Sequence, residues 1–161
     1  MMELSFLTAQ RKHVLGILDG LDDTAMRRPV LPSGWNCVGL VRHLAIDVER
    51  FWFRGVVAAE QEVLDVHYSG VDDGWLVADD VPAAEVLELY RREIALADAV
   101  IEATPIDAPP KWWPSDIFGD EPAQDLRECL LHVMVETACH AGHLDAVREL
   151  IDGRCWMVLT G

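Results

Sequence analysis

One long amphipathic segment constrains this chain more than any other feature. Between Pro122 and Ile151, the residues Leu126, Leu130, Val133, Met134, Ala138, Ala141, Leu144, Val147 and Leu150 recur at helical spacing. A helix so patterned carries an apolar side that must be covered by other elements. Three further segments repeat the pattern. Leu4 to Leu21 carries Phe6, Leu7, Val14, Leu15, Leu18 and Leu21 on one side. A second helix is predicted from Asn36, a good N-cap, through His43 and Trp52 to about Ala59. A third follows Pro82 and ends before Pro105, with Val86, Leu89, Tyr90, Ile94, Ala97 and Ile101 inward. Gly153 stands where the last helix would need a left-handed C-terminal residue.

Two long connections separate these helices. Residues 61–81 read as acidic and irregular, with Gly70, Asp72, Asp73, Gly74, Asp79 and Asp80. Residues 105–122 hold Pro109-Pro110, Trp112-Trp113-Pro114 and Gly119. The expected fold is therefore all-α: a four-helix bundle with two long crossover connections, in a single domain spanning residues 1–161. Connections of this length are often functional. Trp75, Trp112 and Trp113 on them either wall a substrate cleft or cap the bundle end or an interface.

Composition excludes several classes of partner. The net charge is -15, whereas nucleic acid and anionic membrane both require a basic surface. The chain is 51% hydrophobic, which argues against disorder. It has no run of about 18 apolar residues, and Met1-Met2-Glu3 lacks the basic start of a signal peptide. A cytoplasmic location is expected. Cys37, Cys129, Cys139 and Cys155 form no C-x-x-C pair and read as reduced thiols. Cys139 abuts His140 but projects from another face of the helix.

Within the last helix, Glu136 and His140 are four residues apart and share a face, and His143 lies near it a turn further on. His43 lies on the second predicted helix. Two ligands from one helix and one from a facing helix make a His/His/carboxylate set with an open position, the pattern of catalytic rather than structural zinc. Other readings stand beside it. Such residues are often boundary groups satisfied by water or a neighbour, and His140 with His143 is an alternative pair to join His43. His132, one turn before Glu136, either bonds within the site or fills the bundle. Glu49, Arg50 and Arg54 read as a solvated face. Asp145 and Arg148 read as a surface ion pair, and His13 and His67 as ordinary. A ferritin-like di-iron site is excluded, since no Glu has a His three residues later. No His-Glu-x-x-His protease motif or Gly-x-Ser-x-Gly elbow is present.

The run from Ser33-Gly34-Trp35-Asn36 to His43-Leu44-Ala45 resembles the second-helix signature of the DinB-like superfamily. Glu136-x-x-x-His140-Ala141-Gly142-His143-Leu144-Asp145 resembles its fourth-helix signature. The Glu-x-x-x-His form, with His43 followed by Glu49-Arg50-Phe51-Trp52-Phe53-Arg54, is similar to mycothiol-dependent maleylpyruvate isomerases and small mycothiol transferases. The resemblance implies one divalent metal, zinc with nickel or iron as alternatives, held by His43, Glu136 and His140. It also implies a thiol cofactor, mycothiol or bacillithiol, at the open position. A metal-bound thiol loses its proton near neutral pH, and the thiolate is the nucleophile. Each histidine ligand would need an acceptor for its second ring nitrogen.

On this resemblance the expected activity is thiol S-transfer to a small electrophile. His143, Glu49 and Arg50 are candidate catalytic groups, and Arg54 and Trp52 candidate cofactor contacts. An arginine at the site mouth would hold a carboxylate of the thiol or substrate. The alternatives are a metal-dependent hydrolase using bound water with Glu49 or His143 as base, or a non-enzymatic metal-binding or dimerising stress-response bundle. The isomerase branch has a further C-terminal domain, and this chain ends ten residues after Ile151, so isomerisation is not expected. A homodimer is expected, because Trp35, Trp52, Trp112, Trp113 and Trp156 exceed what one small bundle readily buries.

Overall fold

The computed structural model describes residues 2–70 and 73–157, so Asp72 of the acidic stretch lies outside the described residues. Among these residues the chain is all-helical, with no strand. In chain order the helices are α1 (Met2–Leu18), α2 (Asp23–Arg27), α3 (Cys37–His43) and its continuation (Leu44–Val57). They are followed by α4 (Gln61–Ser69), α5 (Ala83–Ala103), α6 (Ser115–Phe118) and α7 (Leu126–Asp152). α7 packs along α1, α5 packs along Leu44–Val57, and α7 also meets Leu44–Val57. The four long spans expected from periodicity are present, with three short helices added in their connections.

Local chemistry explains the boundaries. Asn36 Oδ1 accepts the Gly39 N–H at 2.9 Å and starts α3. Asp125 rather than Pro122 starts α7, its carboxylate accepting the Glu128 N–H at 3.0 Å. Gly153, at φ 79°, closes α7 in the left-handed conformation. The stretch expected to be irregular after Gln61 is helical through Ser69, and Gly70 at φ 61° ends it. Its acidic residues are exposed, while Val63 and Leu64 turn inward.

From Leu44 to Val57 the helix widens to π-type turns, and the Ala58 N–H reaches Phe53 O, five residues back, at 3.0 Å. Two rows at a strict spacing of four are buried, Leu44/Val48/Trp52/Val56 and Ala45/Glu49/Phe53/Val57. That spacing exceeds the 3.6-residue α period and suits the wider turn. It carries Glu49 into the interior rather than onto a solvated face. Arg11 of α1 meets it there, donating from Nε and Nη2 to the two carboxylate oxygens, both at 2.7 Å. Arg11 also donates to Asp98 at 2.7 Å. Arg50 and Arg54 in turn bond Glu93, a buried carboxylate of α5.

Other surface expectations change as well. Phe6 and Leu150, placed on apolar sides from the sequence, are exposed. Asp145 is buried and accepts the backbone N–H groups of Trp156 and Met157, at 2.7 and 2.9 Å. Arg148, also buried, bonds Asp152 and the carbonyls of Ile17 and Asp19. The Asp145–Arg148 surface pair is therefore replaced by two anchors, one for the C-terminal segment and one for the end of α1. Trp156 lies on Gly16, where any Cβ would overlap its ring, and donates to His13 at 3.0 Å. Of the tryptophans behind the dimer expectation, Trp52 is buried and Trp35, Trp112 and Trp113 pack against the core, while Trp156 is exposed.

Candidate metal centre

His43 ends α3, and Glu136 and His140 lie one turn apart on α7. The packing of α7 against the α3 continuation brings one ligating atom from each within 4.8 Å of the others. Around zinc, bonds of about 2.0–2.2 Å would set such atoms about 3.5 Å apart. His140 Nε2 and Glu136 Oε2 already stand 3.6 Å apart, close to that spacing. Two imidazoles and one carboxylate form a set suited to a borderline cation, and they leave room for a fourth ligand. The residues present fit the implied ion.

Each histidine is oriented from behind. Asp47, one turn after His43, places Oδ2 2.8 Å from His43 Nδ1. The imidazole is thereby fixed with Nδ1 towards Asp47 and Nε2 left for an ion. Gly74 makes this possible, because a Cβ there would overlap the Asp47 carboxylate. Trp75 lies on the His43 ring, with centroids 4.5 Å apart and planes 17° from parallel. Its backbone oxygen sits 2.6 Å from where a Gly39 side chain would begin, so only glycine admits this loop. Trp75 thus walls the site rather than capping a distant bundle end.

His140 turns Nε2 towards Glu136 Oε2 at 3.6 Å and Nδ1 towards His143 Nδ1 at 3.4 Å. Burial, and then the neighbouring His43, hold the His140 pKa below its ordinary value, against the pull of Glu136. A neutral imidazole is the form that ligates. His143 is exposed and stands behind His140, outside the converging three.

A cavity of about 380 Å³ opens beside the centre, with His43 and Glu136 in its wall. Trp52, expected to contact a cofactor, lines it and packs against His132 with centroids 4.1 Å apart and planes tilted by 36°. Burial holds the His132 pKa down, opposed by Glu136. The model of the Mycothiol-S-transferase family matches residues 3–153. The chain belongs to this DinB-like mycothiol S-transferase family. No curated protein matches it.

For a mycothiol S-transferase family member, three sequence expectations need correction. Glu49 lies away from this site: it is fully buried, both its oxygens are held by Arg11, and it does not line the cavity beside His43. Arg50 and Arg54 do not line the cavity beside His43. They border a separate cavity of about 420 Å³ with Glu62 and Glu93, and their guanidiniums are committed to carboxylates there. Sequence reasoning missed Asp47 and His67 as neighbours of the site, and left Trp75 and His132 between a site role and a packing role. Asp47 alone had a legible signal, a carboxylate one turn from a candidate ligand.

Proposed function

We propose that the protein transfers a low-molecular-weight thiol, mycothiol or bacillithiol, to a small electrophile at a divalent metal, zinc in the first instance. The observation that carries this reading is the convergence of His43, Glu136 and His140 beside an open cavity, in a chain of the mycothiol S-transferase family. When bound, the cation supplies thiol activation, favouring thiolate over thiol at neutral pH. In the transfer, a sulfur–carbon bond forms, the bond from that carbon to its leaving group breaks with the electron pair, and the thiol proton departs with the leaving group.

The chain's own residues do the positioning. Asp47 holds His43 in one tautomer and orientation, and Trp75 stacked on that ring restricts its rotation. Glu136 offsets part of the cation's charge. His143 orients His140 from its far nitrogen. Trp52 and the aromatic wall of the cavity give the electrophile an apolar surface to rest against on the side from which it arrives.

Zinc-loaded protein incubated with mycothiol and a neutral alkyl halide tests the reading. Thioether formation should require both metal and thiol. A fully metallated protein inert with mycothiol and with bacillithiol would overturn it, and ester hydrolysis by that protein would favour a bound-water reaction instead.

A further inference from the structure

The outer side of α7 is unlike the rest of this acidic surface. Between residues 129 and 148 the helix exposes only Leu131, Val135, Cys139, His143 and Ala146, and Leu150 continues the row one turn on. None of these is an Asp, Glu, Lys or Arg, in a chain whose net charge is -15. Leu131, Val135 and Leu150 are 42%, 62% and 59% exposed. α5 shows an ordinary solvated face by contrast, exposing Glu85, Glu88, Arg91, Arg92 and Glu102. At 1.5 Å per residue the α7 row makes an uncharged strip about 30 Å long. Gly142 lies along it. Glycine inside a helix costs stability relative to alanine, yet no side chain and no other described segment comes within 4 Å of where its Cβ would stand. Packing within the described chain therefore does not call for glycine there, whereas a second helix laid close against α7 does.

We propose that this strip is the face on which a second copy of the chain docks, the two α7 helices pairing antiparallel with their closest approach at Gly142. The row is its own complement in that arrangement. Turned end for end, it sets Leu131 opposite the Leu150 of the second copy, Val135 opposite its Ala146, and Cys139 opposite its His143. Two copies carrying -15 each repel one another, and a strip without formal charge is where that repulsion is weakest. The face is separate from the tryptophans that prompted the dimer expectation. It also places the second copy's Cys139 over His143, the ring behind His140. One helix pair of this length stands at the low end of specific interfaces, so pairing is expected at about 10 μM rather than at nanomolar concentration.

Sedimentation of the full-length protein tests the proposal. The mass should approach twice 18.0 kDa at high protein concentration and fall to 18.0 kDa on dilution. Val135→Glu, and independently Leu150→Glu, should weaken pairing at least about tenfold by setting a charge in the apolar contact, with helical content unchanged by circular dichroism. Leu76→Glu, at a more exposed apolar position away from α7, should pair like the parent. Cys139, open to a disulfide reagent in the dilute monomer, should react about fivefold more slowly at a protein concentration of about 100 μM. With Val135→Cys and Ala146→Cys in a Cys139→Ser background, a short bis-maleimide should join position 135 of one copy to position 146 of the other. A parent of 18.0 kDa at the higher concentration, α7 variants that pair undiminished, equal disruption by Leu76→Glu, or a link between the two positions 135 would each overturn the assignment.

Discussion

Asp47 Oδ2 lies 2.8 Å from His43 Nδ1, one helical turn away, and the absence of a side chain at Gly74 gives that carboxylate its place. A carboxylate behind a ligating imidazole raises its basicity and fixes its orientation. Asp47→Ala should therefore lower metal affinity about 10–100-fold while leaving helical content unchanged. Competition with a chromophoric chelator measures the first, and far-ultraviolet circular dichroism the second. Parental affinity in the variant would remove Asp47 from the centre.

Gly74→Ala should weaken metal binding in the same direction, because the new Cβ must push the Asp47 carboxylate away from His43. The variant should bind metal more weakly than the parent, and combining it with Asp47→Ala should add little, since both break one contact. Full additivity in the same competition assay would show that Gly74 acts elsewhere.

Glu49 is expected to govern stability rather than turnover. Glu49→Ala leaves Arg11 buried with two of its three carboxylate bonds lost, at a cost of about 3–5 kcal/mol. Urea unfolding should show that loss, while metal content per folded molecule stays at the parental value. A stable Glu49→Ala protein with impaired chemistry would restore Glu49 as a reacting group.

The thiols should divide into two classes. Burial pushes Cys37 and Cys129 up to about 11, so neither is appreciably ionised at about pH 8. Cys139 is exposed and Cys155 partly so. A disulfide reagent should modify Cys139 fastest, while Cys37 and Cys129 react only on unfolding. Mass mapping of the modified peptides checks the order.

Acid should expose the Glu93 cluster. Burial pushes the Glu93 carboxyl up, but bonds and charge from Arg50 and Arg54 outweigh this and hold it below its ordinary value. A carboxylate lowered on folding contributes stability that is complete above its unfolded pKa of about 4.3 and lost as pH falls through the lower folded value. Stability should therefore decline as pH drops below about 4, and Glu93→Gln should flatten that decline in urea titrations run at successive pH values. An unchanged slope would show that other groups control acid unfolding.

The sequence by itself determined the all-helical class, the four long spans, the Asn36 cap and the Gly153 stop; it offered His43, Glu136, His140 and His143 as candidates, and packing decided which three converge. The spans, cap and stop rest on periodicity and local hydrogen bonding, which are fixed within a few residues of chain. The register of a buried ion pair was partly legible too, since Glu49 stands in the row Ala45/Phe53/Val57 at a spacing of four. Reading it with Arg50 and Arg54 as one charged face placed it in solvent instead. Only the tertiary structure decided that Arg11, thirty-eight residues away, neutralises Glu49. Packing across segments also laid Trp75 on His43, turned Arg50 and Arg54 to Glu93, and set Phe118 beside Trp52. None of these pairs shares a helical turn. Each exists because helices and loops distant in sequence must cover one another's apolar sides and satisfy the charges carried inward with them.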